Sequence, residues 1–410
     1  MFTIKGILLS FVFIFWIVSP FSNSHAITTT SQGKPALPLS VPKADPLGVI
    51  SLEVGEKKRP TTIVPSIQLS LKTYIRRHGN PIAAIVMVDV ATGHIIAMAQ
   101  GRAPEKWGGQ SHTALYEGFP AASLFKVVPT IAAMDVAQLE PSTVLGLTGG
   151  CAKVHARGWW LRDVKPTRYH KMSLSRAFAN SCNSFFAKLT LQYLGVGVLN
   201  SYAKKLGWNE GGIGADFHLN TSPMNPPKPA RSAIHTVGRF AAGFGMVGLS
   251  PIHAAWINLV IARDGVPMAL RIFADDSSNE SVISKQRIKP VFHQENAINL
   301  RRMMQKTVRS GTASSAFRSW KYRKIKRSAG GKTGTLNSQA PKGLATWFAG
   351  LMPVENPKVV VSAVVVNGGR WIIKGSHLAA EGLRLWEEFQ RKNRDIMVLG
   401  HSTNGTPSKG

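Results

Sequence analysis

Residues 346–366 read TWFAGLMPVENPKVVVSAVVV, in which Thr346 to Met352 and Val359 to Val366 flank the segment Pro353-Val354-Glu355-Asn356-Pro357-Lys358. Runs of β-branched and apolar residues separated by a Pro- and Asn-containing stretch predict a β-hairpin. A second hairpin signal stands toward the other end of the chain, where Ile82 to Val90 and His94 to Ala99 are joined by Ala91-Thr92-Gly93. Ahead of it, Ser66 to Arg77 sets Ile67, Leu69, Leu71, Tyr74 and Ile75 among polar residues, an amphipathic helix ended by Gly79-Asn80-Pro81. After the last hairpin, Ser376 is placed to cap a closing helix that carries Leu378, Leu383, Leu385, Trp386 and Phe389. The stretch between the hairpins reads as mostly helical. Strands at both ends with helices between them predict an α+β domain: an antiparallel sheet assembled from distant segments, flanked by terminal helices, with an inserted helical subdomain.

The 410 residues, 44% of them apolar and including 10 Trp and 18 Phe, are ample for a large buried core. Residues 1–26 combine a basic start (Met1 to Lys5), an apolar run from Gly6 to Phe21 and the small-x-small sequence Ser24-His25-Ala26, the pattern of a signal peptide. An uncleaved membrane anchor is the alternative, although a span needs roughly 20 apolar residues and Pro20 interrupts this run. Either reading exports the working domain to the periplasm or the outer face of the cytoplasmic membrane. Residues 27–65, rich in Pro, Ser, Thr and Lys, are expected to be a flexible linker, 66–394 the folded domain and 395–410 a flexible tail. Asp275 to Glu280 reads as a solvated loop.

Lys and Arg outnumber Asp and Glu by 50 to 21, a formal charge of +29 that attracts polyanions. The basic residues are scattered along helices rather than interleaved with aromatics on a strand pair, so no nucleic acid partner is expected. Cell-wall polymer or anionic lipid, with association at the inner membrane, suits an exported cationic chain better; the alternative is a solvated basic surface with no specific partner. The only two cysteines, Cys151 and Cys182, fit either a disulfide or two buried free thiols. With no C-x-x-C and no H-E-x-x-H in the sequence, neither a metal nor a cofactor is expected.

Three short motifs follow one another: Ser123-Leu124-Phe125-Lys126, Ser181-Cys182-Asn183 and Lys332-Thr333-Gly334-Thr335. Each is cheap alone, since S-x-x-K recurs at Ser40 to Lys43 and S-x-N at Ser277 to Asn279. Setting separates them. Ser123 and Lys126 open an apolar run to Ala137 that reads as a helix, where residues three apart share a face. A serine hydroxyl attacks well only when a base takes its proton, and a lysine serves as that base when burial and nearby cations lower its pKa. Pro129 lies inside this predicted helix, removing a hydrogen bond at a cost of about 3 kcal/mol, so a bend or an end is expected there. Ser181 and Asn183 precede the apolar residues Phe185, Phe186, Leu189 and Leu191, and serve either as helix caps or as polar groups facing a cleft. Lys332 to Thr335 follow Gly330-Gly331 and suit a bare strand edge along which a peptide binds, with Lys332 and Thr333 holding a carboxylate.

Taken in order, S-x-x-K, S-x-N and K-T-G form the signature of penicillin-binding proteins and serine β-lactamases. From about residue 80 to 390 the chain resembles a penicillin-binding transpeptidase domain. Further landmarks stand in family order: Gly243-Phe244-Gly245-Met246 followed by Ser250-Pro251, then Ser310-Gly311-Thr312-Ala313 and Trp347-Phe348-Ala349-Gly350. The resemblance implies a β-lactamase/transpeptidase-like fold with a five-stranded antiparallel sheet. It implies a peptidoglycan DD-transpeptidase in which Ser123 is acylated by a D-Ala-D-Ala stem peptide or by a β-lactam. Lys126 would then be the base, Ser181 and Asn183 would assist proton transfer and amide binding, and Lys332, Thr333, Gly334 and Thr335 would form the substrate edge. The backbone N–H groups of Ser123 and Thr335 would bind the oxyanion. Stem peptides, β-lactams and cell-wall synthesis proteins are the partners it suggests. The chain has no room for a glycosyltransferase domain and little for an N-terminal pedestal, so a near-minimal transpeptidase module is expected. DD-carboxypeptidase, serine β-lactamase and noncatalytic receptor are the competing outcomes. The β-lactamase reading lacks E-x-x-L-N between the second and third motifs.

Overall fold

The computed structural model describes residues 43–402, except 47, 55, 80, 103–111, 149, 152–153, 155–170, 212, 214–215, 229–233, 246, 275–288 and 370. The signal-peptide segment 1–26, the first part of the expected linker, the acidic loop 275–280 and residues 403–410 lie outside the described residues. Among the described residues no helix is long and apolar enough to cross a membrane.

The expected linker is corrected at its C-terminal end, where β1 (Ser51–Val54) and β2 (Lys57–Pro60) form an antiparallel hairpin. Its reason is burial: Ile50 and Leu52 enter the main core, Thr61 bridges to Phe273, and the Arg59 guanidinium lies 4.0 Å over the Phe273 ring. The alternation Ile50, Leu52, Val54 against Ser51 and Glu53 is a period-two signal, too short to stand out from its charged surroundings.

Helix α1 (Pro65–Arg77) follows, then β3 (Ile82–Asp89), β4 (Ile95–Gln100), α2 (Val127–Val136) and the small ladder of β5 (Val144–Gly146) with β6 (Lys171–Ser173). Next come α3 (Leu174–Ala179), α4 (Asn183–Leu189), α5 (Gly195–Lys205), α6 (Ile234–Ala241) and α7 (Pro251–Ala262). After the helix Gln294–Arg309, the strands β7 (Gly330–Gln339), β8 (Lys342–Met352) and β9 (Val359–Asn367) complete a five-stranded antiparallel sheet of order β4-β3-β9-β8-β7.

The continuous apolar runs of β3 and β9 are explained by a sheet covered on both faces. Ala84, Val86 and Val88 of β3 join one core with Val360, Val364 and Val366 of β9. Ala83, Ile85 and Met87 turn to a second core with Val361, Ala363 and Val365. Over the second face pack α1 and the final helix, through Ile67, Leu71, Ile75, Leu378, Leu383 and Trp386. Against the first lies α7, buried along its whole length, with the Ser250 hydroxyl accepting from the His253 N–H at 3.2 Å and Pro251 at its first position.

Two expectations about the closing helix change. It spans Gly375–Ser402, so residues 395–402 are helical rather than a tail; no Gly or Pro interrupts the sequence between Gly382 and Gly400. Ser376 sits inside its first turn rather than capping it. The start is held instead by the Gly375 N–H donating to Thr346 Oγ1 at 3.0 Å and the Lys374 N–H donating to His377 Nδ1 at 3.1 Å.

Candidate active site

Ser123 lies in a 3-10 turn, Ala122–Lys126, that runs directly into α2. The tighter turn settles the difficulty of Pro129: α2 proper begins at Val127, so the proline occupies its first turn, where a backbone N–H has no partner within the α-helix. The helix therefore continues past Pro129 to Val136, in contrast to the bend or end expected from sequence.

The turn is held from both sides. Ala122 has φ 49°, a left-handed conformation that costs a non-glycine residue about 1–3 kcal/mol and persists only where the surroundings enforce it. The Trp347 indole donates to the Pro120 carbonyl at 2.9 Å, and the Ala121 N–H donates to the Val247 carbonyl at 2.9 Å. Beneath it sits Gly243, with φ +85°, where a Cβ would stand 1.9 Å from the Ala122 carbonyl oxygen. Only glycine fits that position. At Gly334 a Cβ would come within 3.3 Å of Ala122 Cβ and of Trp347, so glycine lets β7 lie close to the Ser123 turn.

Lys126 is fully buried, with its Nζ 2.6 Å from Ser123 Oγ, 2.7 Å from Asn183 Oδ1 and 3.0 Å from the Ala242 carbonyl. Two of these three partners are carbonyl oxygens, which accept and cannot donate. Nζ is within donor reach of all three, and in its neutral form the amine can give one N–H to each carbonyl and turn its lone pair toward the Ser123 hydroxyl. Burial, followed by the neighbouring charge of Lys332, holds the Lys126 pKa well below the ordinary lysine value. A buried lysine with a lowered pKa thus stands within hydrogen-bonding reach of the Ser123 hydroxyl.

Ser181, with φ 57°, and Asn183, the first residue of α4, are not caps: the N-terminus of α4 has no side-chain cap, and both side chains turn to lysines. Lys332 Nζ donates to Ser181 Oγ at 2.9 Å and to the Thr333 carbonyl at 3.0 Å, and lies 5.7 Å from the centre of the Phe178 ring. Burial lowers its pKa to about 7. All eight residues expected from sequence therefore converge: Ser123, Ser181, Asn183, Thr333, Gly334 and Thr335 line one cleft of about 250 Å³, with Lys126 and Lys332 buried behind it. Among the described residues strand β7 lies at the edge of the sheet, paired with β8 alone, and its other side faces the cleft.

The cleft also has walls that sequence reasoning did not assign to the site: Phe244, Thr312, Thr346, Trp347, Lys374 and Ser376. Thr312 hydrogen-bonds Thr333 through their hydroxyls. Phe244, Thr312 and Trp347 were signalled only as family landmarks, and Lys374 and Ser376 reach the cleft because the final helix begins beside Thr346.

Cys151 and Cys182 form a disulfide, which settles the alternative left by the sequence. It fastens the turn between Ser181 and Asn183, reinforced by the Asn183 N–H donating to the Cys151 carbonyl at 2.8 Å and the Ser184 hydroxyl donating to the Gly150 carbonyl at 2.6 Å. A cross-link over a sequence separation of 31 contributes about 3–4 kcal/mol by chain entropy. Urea unfolding with and without a thiol reductant is expected to differ by that amount, with the reduced protein the weaker.

The family model described as the penicillin-binding protein transpeptidase domain matches residues 83–384. The peptidoglycan D,D-transpeptidase PbpA of Mycobacterium tuberculosis is 25% identical over 363 residues, covering 78% of this chain and 70% of that protein. Among solved structures, the D,D-transpeptidase domain of a peptidoglycan glycosyltransferase from Eggerthella lenta superposes with a TM-score of 0.62 at 21% identity, covering 80% of this chain and 82% of that one. PBPA from M. tuberculosis gives a TM-score of 0.60 at 22% identity, covering 80% and 81%.

Proposed function

The chain belongs to the penicillin-binding protein transpeptidase family, and we propose from that premise that it is a peptidoglycan DD-transpeptidase whose nucleophile is Ser123. The observation that carries this reading is the Ser123–Lys126 pair at 2.6 Å, with the two other hydrogen bonds of the amine committed to carbonyl oxygens. The Lys126 amine takes the hydroxyl proton as Ser123 Oγ attacks the carbonyl of the penultimate D-alanine. Oxyanion charge is received by the backbone N–H groups of Ser123 and Thr335. Collapse expels the terminal D-alanine, whose amine takes a proton delivered through Ser181 from the lysine pair. Lys332, with Thr333 and Thr335 along the edge of β7, holds the terminal carboxylate of the substrate. An acceptor amine then attacks the acyl-enzyme, and the peptide is transferred as a cross-link. A β-lactam enters the same first step and leaves its adduct on Ser123.

The disulfide supports a working place outside the cytoplasm, in the periplasm or at the outer face of the cytoplasmic membrane, since such bonds persist in oxidising compartments. Inner-membrane association through residues 1–26 and contact with other cell-wall synthesis proteins complete the proposal.

Mass spectrometry of muropeptides after incubation with the purified protein tests it. Cross-linked dimers are expected; shortened monomers alone would make it a carboxypeptidase, and a protein that binds the donor or penicillin without turning over a D-Ala-D-Ala peptide would be a receptor. A bell-shaped pH profile of kcat/KM for penicillin acylation is also expected. The rate climbs as Lys126 loses its proton and falls above about pH 7 as Lys332 loses the charge that holds the carboxylate. A stopped-flow rate that kept rising to pH 9 would remove Lys332 from that role.

A further inference from the structure

No Asp or Glu stands between Glu295 and Glu355, and within that stretch residues 318–327 read RSWKYRKIKR. They fold as a 3-10 turn, Trp320–Tyr322, that passes into a short helix, Arg323–Ser328. Phe317, Tyr322 and Ile325 are buried in the second core and fix the segment on its inner side. Arg318, Trp320, Lys321, Arg323, Lys324 and Arg327 are exposed on the outer one. Lys321 and Lys324 pair with Glu381 and Glu387 of the final helix, while among the described residues Arg318, Arg323, Lys326 and Arg327 form no ion pair. The helix Gln294–Arg309 extends the field: Arg302, Lys306 and Arg309 recur along its exposed face at helical spacing. The Arg309 guanidinium and the Gln305 amide donate to the Arg327 carbonyl at 2.8 and 2.9 Å, so the two cationic rows lie side by side.

Trp320 sets this surface apart from a merely solvated charged face. It is 88% exposed, and among the described large apolar residues the next, Leu69, reaches only 63%. A tryptophan ring held in water amid cations suits a bilayer interface, where the ring enters the headgroup region and the cations meet lipid phosphates. A soluble polyanion would meet the cations and leave the ring wet. We infer that residues 318–327, extended by Arg302, Lys306 and Arg309, form a docking surface for the anionic phospholipid of a membrane, with Trp320 as the side chain that enters the interface. Which leaflet it meets rests on the extracytoplasmic placement proposed above; contact with the lipid does not. Strand β7 begins at Gly330, so docking holds the start of the strand that carries Lys332 near the bilayer surface.

The full chain with Ser319→Cys reports the contact. Ser319 is exposed and its side chain caps nothing, and both native cysteines are joined in the disulfide, so an environment-sensitive nitrobenzoxadiazole label attaches at position 319 alone. With vesicles of phosphatidylglycerol and phosphatidylcholine, its emission is expected to rise about threefold or more, shift to the blue, and weaken as salt is raised. Vesicles of phosphatidylcholine alone separate this contact from any made by the apolar run 6–21, and should give no rise. Adding Trp320→Ala, or Arg323→Gln with Lys326→Gln and Arg327→Gln, should remove most of the rise, with a thermal melt within a few degrees of the parent showing that each variant is folded. Unchanged emission on anionic vesicles, an equal rise on neutral ones, or a rise that survives both sets of substitutions would overturn the docking surface. A rise produced by soluble polyphosphate and not by anionic vesicles would overturn it too, and would assign the cations to a wall polymer.

Discussion

Ser123→Ala will abolish the covalent penicillin adduct and lower stem-peptide turnover by on the order of a millionfold, the scale reached when a serine nucleophile is removed from a site that acts as a unit. Other hydroxyls line the cleft, and the geometry says why none replaces it. Ser181 Oγ is bonded to Lys332, and Thr312 and Thr333 are bonded to each other. Lys126, the group placed to take a proton, contacts Ser123, Asn183 and Ala242. The fold should survive, because Lys126 keeps two of its three partners and no apolar packing is lost. Intact-mass spectrometry after penicillin treatment reads the adduct, and a thermal melt within a few degrees of the parent shows that the domain stands.

Lys126→Met is expected to slow acylation by about 10³–10⁴-fold, the upper range for loss of a positioned general base. Methionine is of similar length and apolar, so it fills the buried channel without forcing a charge into it. It leaves Asn183 Oδ1 and the Ala242 carbonyl without their lysine, which costs stability as well as rate. Lys332 does not rescue the reaction: its Nζ is directed to Ser181 and to the Thr333 carbonyl. The second-order rate constant for a fluorescent penicillin measures the effect. A value within tenfold of the parent would move the base from Lys126 to the Ser181–Lys332 pair.

The motif residues were legible because each carries its own chemistry in a short segment, and so was the sheet, whose two hairpins are written in runs of Val, Ile and Ala. What sequence missed depended on contacts between segments. Pro129 read as a helix breaker because nothing local shows that a 3-10 turn precedes it and shifts the α-helix start to Val127. Ile50 and Leu52 read as linker because the strand they belong to is stabilised by a distant partner, Phe273, rather than by its own pattern. The carbonyl of Ala242 is invisible to any search by side chain, yet it fixes the hydrogen-bonding state of Lys126. Ser376 looked like a cap because serine commonly is one; its place in the cleft wall follows from how the final helix docks on Thr346.

The strand order β4-β3-β9-β8-β7 has a consequence for how the domain comes into being. Besides β4, β3 pairs with β9, Ile82 opposite Val366, so the centre of the sheet is closed by a strand made long after β3 itself. Pairings so distant along the chain form slowly, and a growing chain emerges N-terminus first. Ser123 and Lys126 are therefore present long before the strand that carries Lys332 can dock beside them. During that interval one side of β3 is an open edge that invites pairing with other chains. No chain that has yet to set β7 beside the Ser123 turn holds a finished site, so the capacity to be acylated waits on the assembly of β7, β8 and β9.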